Sequence, residues 1–354
     1  MDLESTCKDL TPLQKYAKNQ IYRFKFFEYL KIIQFDVPIK SIHHFEANDD
    51  EFLFINLEQC FLNTFSYNGS GFTIISSKQD FDTVEKWTTL KYKDEIYFLT
   101  IGNGMCGKSF GNLWKFEEQT LTHILDLGSI TDVKKIGDYN FLVISEERLE
   151  KWSIEDLRQG LYGNWTSYFS TNEHMRFIPN TDRILLLDNK YIHELNPQYL
   201  NHTTLSNHFG NGIIMSLRAG IFETEMILHY DDKVSENNAF IFDGLSDRRM
   251  RQSIPTHKPN SFLIINFDSL VETFLTFVNN GRSLEIFEYK GIEGFVYRES
   301  IKMQIKRTFG FKLRKHPGLS KTNFVGAIHE NTLTILEAKM YGEKLDMEYL
   351  ICED

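Results

Sequence analysis

Short apolar runs recur along the chain at a nearly constant spacing. Seven of them begin at residues 52, 98, 141, 184, 226, 274 and 324, so successive runs start 46, 43, 43, 42, 48 and 50 residues apart. Each run has the length and the aromatic or β-branched content of a buried strand, as in FLFI, FLTI, FLVI and TFLTF. Self-similarity at such a period is typical of folds in which one small unit is repeated.

Further strand-like segments accompany these runs. Each run is followed by a second strand-like segment, whose aromatic residue or Leu lies 11 to 16 residues after the first residue of the run. The seven segments are FLNTFSY, GNLWKF, RLEKWSI, YIHELNP, NAFIFDG, SLEIFEY and TLTILEA. A third element often follows, namely GFTIISS (71–77), TLTHILDL (120–127), GFVYRESI (294–301) and LDMEYLI (345–351). A more variable one precedes the run, as in IKSIHHFEA (39–47) and KWTTLKY (86–92). Four strands in about 45 residues is the pattern of a propeller blade.

We therefore predict an all-β fold, a seven-bladed β-propeller of four-stranded antiparallel blades, over residues 39–354. The predicted blades are about 39–81, 82–128, 129–171, 172–210, 211–256, 257–304 and 305–354. Residues 1–38 are predicted to be a lead-in with a short helix at 12–20, where Thr11-Pro12-Leu13-Gln14 has the form of a helix start. A following strand would help to close the ring, which otherwise leaves sheet edges unpaired.

One stretch competes with this interpretation. Gly102, four residues and then Gly107-Lys108-Ser109 have the spacing of a phosphate-binding P-loop. A P-loop must lead directly into a helix of a parallel sheet, whereas here the following segment aligns with the hairpin strands of six other repeats. We interpret it as a long hairpin loop and keep a nucleotide hydrolase using Gly102–Ser109 as an alternative.

Charge and hydropathy exclude several classes. The formal net charge is −10, with 49 acidic against 39 basic residues, which argues against a nucleic-acid binder. No run approaches the ~18 apolar residues of a membrane span. The start, MDLESTCKDL, lacks the form of a secretory signal. This suits a cytosolic or nuclear protein, or a mature or truncated form of a secreted one.

The four cysteines leave two states open. Cys7 with Cys352 and Cys60 with Cys106 are permitted disulfide pairs, and free buried thiols are an equal alternative. Three sequons, at Asn68, Asn164 and Asn201, are candidate glycosylation sites, in a number close to that expected by chance.

Catalytic and metal-binding signatures are missing from the sequence. It has no nucleophile elbow, H-E-x-x-H, dinucleotide fingerprint or calcium loop, and no Trp-Asp repeat signature, so we predict no enzyme, no cofactor and no metal. The one adjacent histidine pair, His43-His44, would point to opposite faces of a strand, one towards the core and one towards solvent.

The repeats resemble a known family. FLVISEERLEKW, TFLTFVNNGRSLEIFEYKGIEGFVYRESI and IYFLTIGNGMCGKSFGNLWKFEEQTLTHILDL are similar to the EPTP, or EAR, repeat. Members such as the leucine-rich glioma-inactivated proteins are secreted seven-bladed propellers that bind receptor ectodomains, and related repeats occur in insect eggshell proteins. The resemblance implies an extracellular recognition module with disulfides and glycans; the chain has no leucine-rich module.

From the fold we expect a non-catalytic binding module whose loops carry specificity. The partner would be another protein, a receptor ectodomain or matrix protein if the resemblance holds, and a cytosolic scaffold is the alternative. Candidate contact loops are 102–112, 156–170, 231–239, 243–259 and 312–322. The last two are basic and would suit an acidic partner; the candidate contact residues in them are Arg248, Arg249, Arg251, Lys312, Arg314 and Lys315.

Overall fold

The computed structural model describes most of the 354-residue chain. The described ranges are 28–68, 71–81, 83–102, 111–145, 148–161, 165–168, 175–179, 183–188, 191–207, 213–219, 224–231, 238–243, 249–266, 273–313 and 322–338. These residues form seven separate four-stranded antiparallel sheets arranged as the blades of a ring, so the predicted seven-bladed β-propeller is confirmed.

The first four blades follow one another along the chain. Blade 1 contains β2 (Ile39–Ala47), β3 (Asp50–Leu57), β4 (Phe61–Tyr67) and β5 (Phe72–Lys78). Blade 2 contains β6 (Val84–Tyr92), β7 (Glu95–Gly102), β8 (Gly111–Glu117) and β9 (Thr120–Gly128). Blade 3 contains β10 (Ile130–Lys135), β11 (Asn140–Ser145), β12 (Arg148–Ser153), a short helix α1 (Ile154–Arg158) and β13 (Trp165–Tyr168). Blade 4 contains β14 (Arg176–Phe177), β15 (Leu185–Leu187), β16 (Tyr191–Leu195) and β17 (His202–Asn207).

The last three blades complete the ring. Blade 5 contains β18 (Ile213–Ala219), β19 (Thr224–Tyr230), β20 (Asn238–Asp243) and β21 (Arg249–Pro255). Blade 6 contains β22 (Pro259–Asn266), β23 (Thr273–Asn279), β24 (Ser283–Tyr289), a single 3₁₀ turn (Gly291–Glu293) and β25 (Phe295–Lys302). Blade 7 contains β26 (Arg307–Leu313), β27 (Thr322–His329), β28 (Thr332–Glu337) and the N-terminal strand β1 (Glu28–Gln34).

Blade 7 joins the two ends of the described chain. β1 pairs antiparallel with β28, from Glu28 opposite Glu337 to Gln34 opposite Thr332. It takes the fourth-strand place of blade 7, so the expected ring closure by a strand of the N-terminal segment is confirmed. LDMEYLI (345–351), which the sequence also offered as a strand of this repeat, and the predicted helix at 12–20 lie outside the described residues. A strand from the N-terminal segment pairs here because it covers the edge that β28 would otherwise expose.

The hydrophobic core lies between the blades. Each of the seven buried apolar clusters found in the described residues contains side chains from two neighbouring blades, and one of them joins blade 7 to blade 1. In β23, Leu275 and Phe277 pack towards blade 5, whereas Phe274 and Val278 pack towards blade 7. Side chains alternate across a strand, and both faces of a blade are covered, so its second strand reads as a continuous apolar run.

Most outer strands contain a β-bulge. The register with the third strand shifts by one residue in the outer strand of every blade except blade 3, where the described pairing is short. Blade 2 has two such shifts, and the extra residues are Leu30, Ile75, Ile124, Leu127, Leu205, Arg251 and Arg298. A bulge bends and twists an edge strand away from the flat form to which another chain could pair.

Candidate functional site

The ring has two faces that differ in which strand ends they present. The first strands of neighbouring blades contact one another, which places them nearest the axis. We call the face at which these first strands begin the upper face, and the opposite one the lower face. Because the strands alternate in direction, second strands end and third strands begin at the upper face, whereas third strands end and fourth strands begin at the lower face.

The predicted basic contact residues do not form one patch in the described structure. Arg249 and Arg251 lie near the start of β21, the outer strand of blade 5, whereas Lys312 lies near the end of β26, the inner strand of blade 7. Arg251 Nη1 is 3.0 Å from Asp243 Oδ1, and its Nη2 donates to the hydroxyl oxygen of Tyr289 at 3.2 Å. Arg251 therefore ties blade 5 to blade 6. A partner contact by these residues stays a prediction; Arg248, Arg314 and Lys315 lie outside the described residues.

Of the predicted modification sites, three residues are described. Cys60 lies in the turn between β3 and β4, and the exposed residues Asn68 and Asn201 lie in connections between strands. Cys7, Cys106, Cys352 and Asn164 lie outside the described residues, so both disulfides and all three glycosylation sites stay predictions.

The P-loop-like stretch leads into a strand. Residues 103–110 lie outside the described residues, but β8 begins at Gly111 and pairs antiparallel with β7, from Ile96 opposite Phe116 to Ile101 opposite Gly111. A helix that could direct its N-terminus at a phosphate is therefore not formed by the residues that follow this stretch.

The adjacent histidines are both packed between blades. His43 Nε2 is 2.7 Å from Thr89 Oγ1 of blade 2, and its ring stacks on Trp87 with centroids 5.5 Å apart. His44 points the other way, with Nε2 2.6 Å from Glu51 Oε2 and its ring 5.7 Å from that of Phe311. The prediction that one of them faces solvent is wrong, because a neighbouring blade covers each face of the sheet. No cluster of His, Cys, Asp and Glu suited to a metal ion occurs among the described residues.

A cluster of the residue types favoured in protein interfaces lies on the lower face between blades 2 and 3. Tyr139 is 40% and Leu161 is 48% exposed, and the rings of Tyr92 and Tyr139 meet edge to face with centroids 5.7 Å apart. The Arg158 guanidinium carbon lies 5.6 Å from the centre of the Tyr92 ring. We call these four residues the tyrosine–arginine patch.

Helix α1 anchors one side of the tyrosine–arginine patch in the core. Ser153 caps helix α1 by accepting a hydrogen bond from Asp156 N, and Ile154 and Leu157 are buried in the core between blades 2 and 3. The helix ends at Arg158, and the turn after it contains Gly160, whose φ of 73° is one that glycine adopts without strain; this turn exposes Leu161. Arg158 is thus held by a buried anchor on its own helix, and Leu161 lies in the turn that follows that helix.

An ion-pair network centred on Glu95 holds Arg158 of the tyrosine–arginine patch in place. Arg158 Nη1 lies 3.1 Å from Glu95 Oε2, and Lys115 Nζ lies 2.8 Å from the other carboxylate oxygen. Hydrogen bonds from Lys115 and then Tyr97 hold the pKa of Glu95 below its usual value. Burial, followed by its hydrogen bond to Glu95, raises the pKa of Tyr97 to about 12. Glu95 therefore stays ionised near neutral pH and keeps Arg158 over the Tyr92 ring.

A second feature lies at the upper face around the axis. Lys40, Lys86, Arg176 and Arg307 each occupy one of the first three positions of a first strand, in blades 1, 2, 4 and 7. We call these four residues the channel-mouth belt, since first strands of a propeller line its central channel. Sequence reasoning missed them because they are far apart in the chain; the signal that could have found them is a base among the first three residues of four of the seven first strands.

Contacts between blades hold the belt in place. Arg307 Nη1 donates to the backbone oxygen of Lys40 at 3.1 Å, and Lys40 Nζ lies 3.6 Å from Glu85 Oε1. Lys86 Nζ lies 2.6 Å from the buried carboxylate of Asp132. Asp132 also accepts a hydrogen bond from the backbone N–H of Phe177, so it joins blades 2, 3 and 4.

Charge is segregated by strand position. The described first strands contain nine basic and three acidic residues, namely Lys40, Lys86, Lys91, Lys134, Lys135, Arg176, Arg218, Arg307 and Lys312 against Glu46, Glu85 and Asp132. The described second and third strands contain eleven acidic and three basic residues. Basic residues therefore predominate on the first strands around the axis, and the described fourth strands at the rim also contain more basic than acidic residues, six against three.

Solved structures with the same fold are similar to this chain over most of its length. BBS1N in complex with ARL6DN aligns with a TM-score of 0.59 at 7% identity, covering 90% of this chain and 97% of that one. A chain of the mitotic checkpoint complex gives 0.55 at 11% identity, with coverage of 89% and 93%. The extracellular domain of a putative one-component system from B. thetaiotaomicron gives 0.51 at 10% identity, covering 88% of this chain and 40% of that one.

These likenesses show the propeller fold alone. No protein-family model matches the sequence, and no curated protein matches it either, so the resemblance to EPTP/EAR repeats stays a prediction. Within the described ranges, no helix has the length and apolar character needed to cross a bilayer.

Proposed function

We propose that this chain is a non-catalytic propeller that binds a partner protein through the tyrosine–arginine patch. The observation that carries the proposal is the patch itself: two tyrosines, an arginine and an exposed leucine on one face, fixed by α1 and by Glu95. Tyr and Arg are enriched among residues that dominate binding energy, and preorganised side chains lose little freedom when a partner docks. Solved structures of similar fold occur in protein complexes, which is consistent with this function.

The proposal is tested by recovering partners from the native source with purified variants. Tyr139→Ala and Arg158→Ala should each weaken capture of the partner by about tenfold or more, as expected for central interface residues. Tyr199→Ala is the matched control, because Tyr199 is 64% exposed on blade 4, away from the patch. A photo-crosslinking residue placed at position 161 should label the same protein. A partner retained equally by all three variants would contradict the proposal.

For the compartment we propose an extracellular recognition module, with a cytosolic scaffold as the alternative. The support is the sequence resemblance together with the two permitted cysteine pairs. Alkylation of the unreduced protein, unfolded in denaturant so that buried thiols also react, followed by mass spectrometry, should find Cys7, Cys60, Cys106 and Cys352 unmodified if both pairs form. Four alkylated thiols would favour the cytosolic scaffold.

The hydrolase alternative makes a separate prediction. Because strand β8 follows residues 103–110, we expect no saturable binding of ATP or GTP to the full chain in a calorimetric titration. Saturable binding that disappears in Lys108→Ala would restore that alternative.

A further inference from the structure

The channel-mouth belt is a fixed array of positive charge. Its four bases lie on the innermost strands of blades 7, 1, 2 and 4, and contacts across blade boundaries restrain three of them. The Lys86 side chain is 47% exposed and Arg307 is also exposed, so both can meet a ligand from the upper face. Long side chains that are already restrained lose less entropy on binding than free ones.

The second and third strands have the opposite sign. The chain carries a net charge of −10, and these strands are rich in Asp and Glu. An approaching acidic ligand is therefore repelled by the net charge of the chain and attracted to the axis, where the basic first strands converge. A channel mouth in which one sign of charge predominates steers a complementary ligand.

We propose that the channel-mouth belt binds an acidic peptide segment, a run of Asp and Glu residues from a partner protein that enters the channel from the upper face. A peptide is favoured over a nucleic acid because it can place a few carboxylates on the axis and carry no further charge outside it. A nucleic acid carries phosphates along its whole length, and these would be repelled by a chain with a net charge of −10. This site is distinct from the tyrosine–arginine patch, which lies on the lower face.

The test is a titration of the full chain into a fluorescein-labelled peptide of about ten alternating Asp and Glu residues, followed by anisotropy. We expect binding at low salt that weakens severalfold at about 0.3 M salt, since the Debye length shortens. A Gln/Asn peptide of equal length should not bind. Arg307→Gln and Lys40→Gln should each weaken the acidic peptide about three- to tenfold.

Two control variants make the outcome decisive. Lys302→Gln removes an exposed base at the upper face but on the outer strand of blade 6, and it should bind the peptide as the unmodified chain does. Tyr139→Ala should also bind it normally, so failure of this proposal and failure of the lower-face proposal are distinguishable. Lys86 is not substituted, because its loss would remove the charged partner of the buried Asp132 carboxylate. Absence of peptide binding, equal binding by Arg307→Gln, or equally tight binding of an oligothymidine of similar charge would each overturn the proposal.

Discussion

Asp132 offers the sharpest test of how the blades are held together near the axis. Its carboxylate is 3% exposed and joins three blades, because Oδ1 meets Lys86 Nζ of blade 2 and Oδ2 accepts the Phe177 N–H of blade 4. Asp132→Asn keeps the size of the side chain and leaves no cavity. It replaces one acceptor by an NH₂ donor. Oδ1 accepts from both Lys86 Nζ and the Val133 N–H, so the amide oxygen of the substituted side chain is expected to keep that place and the NH₂ to face the Phe177 N–H, which is also a donor.

The magnitude follows from these two contacts. A buried N–H such as that of Phe177 costs about 1–3 kcal/mol when it loses its acceptor. The Lys86 pair adds less than about 1 kcal/mol, because that side chain is 47% exposed and water screens the interaction. We expect Asp132→Asn to lower the free energy of unfolding by about 2–3 kcal/mol.

The assay is equilibrium unfolding in urea, with Asp138→Asn as the matched control. Asp138 lies in the same blade, is 82% exposed and sits 3.8 Å from Lys135, so its variant should change stability by less than about 0.5 kcal/mol. Hydrogen exchange should show faster exchange of the Phe177 amide in Asp132→Asn. If the two variants were equally stable, the inference that Asp132 links the blades would be refuted.

Two further substitutions test the packing between strands and between blades. A side chain at position 326 would overlap the Phe309 ring opposite it, so Gly326→Ala should lower the free energy of unfolding, measured in urea, by about 1–3 kcal/mol. Gly71→Ala is the control: its Cβ would meet nothing within 4 Å, and its free energy of unfolding should not change. Burial, and then His44, lowers the pKa of His43 from 6.5 to about 3. The unfolded chain therefore takes up this proton first, and between these values acid favours unfolding by about 1.4 kcal/mol per pH unit. His43→Phe should remove this part of the pH dependence of stability, and an unchanged slope would contradict the assignment.

The fold could be predicted because its strongest signal is local. Buried second strands such as β3, β7 and β23 are short apolar runs, and their spacing alone indicates a blade of four strands. The strand that completes blade 7 was harder to assign. β1 and the segment 345–351 both have strand character, and only the pairing of Glu28–Gln34 with β28 distinguishes them.

The candidate sites could not be predicted in the same way. The tyrosine–arginine patch joins the turns after β6 and β10 to helix α1, and the ring of Tyr92 meets Arg158 only because blades 2 and 3 are neighbours. Basic runs in the sequence pointed instead to Arg249 and Lys312, which the fold places on different blades and at different distances from the axis. Such sites depend on which blade faces which, and that information is not local.

The outer-strand bulges bear on how a ring of exposed sheet edges avoids association with its own copies. Every blade ends in an edge strand, and bare edges with apolar neighbours such as Ile74, Ile124 and Tyr297 would suit pairing with a second chain. The extra residues Ile75 and Arg298 lie next to Ile74 and Tyr297, and Ile124 is itself an extra residue; each breaks the regular ladder within its strand. Because the same device recurs in six blades with different residues, the geometry of the repeat, and not one side chain, is what keeps the rim unpaired. Both proposed binding surfaces lie on the faces of the ring, which is where a propeller with a protected rim can bind partners without polymerising.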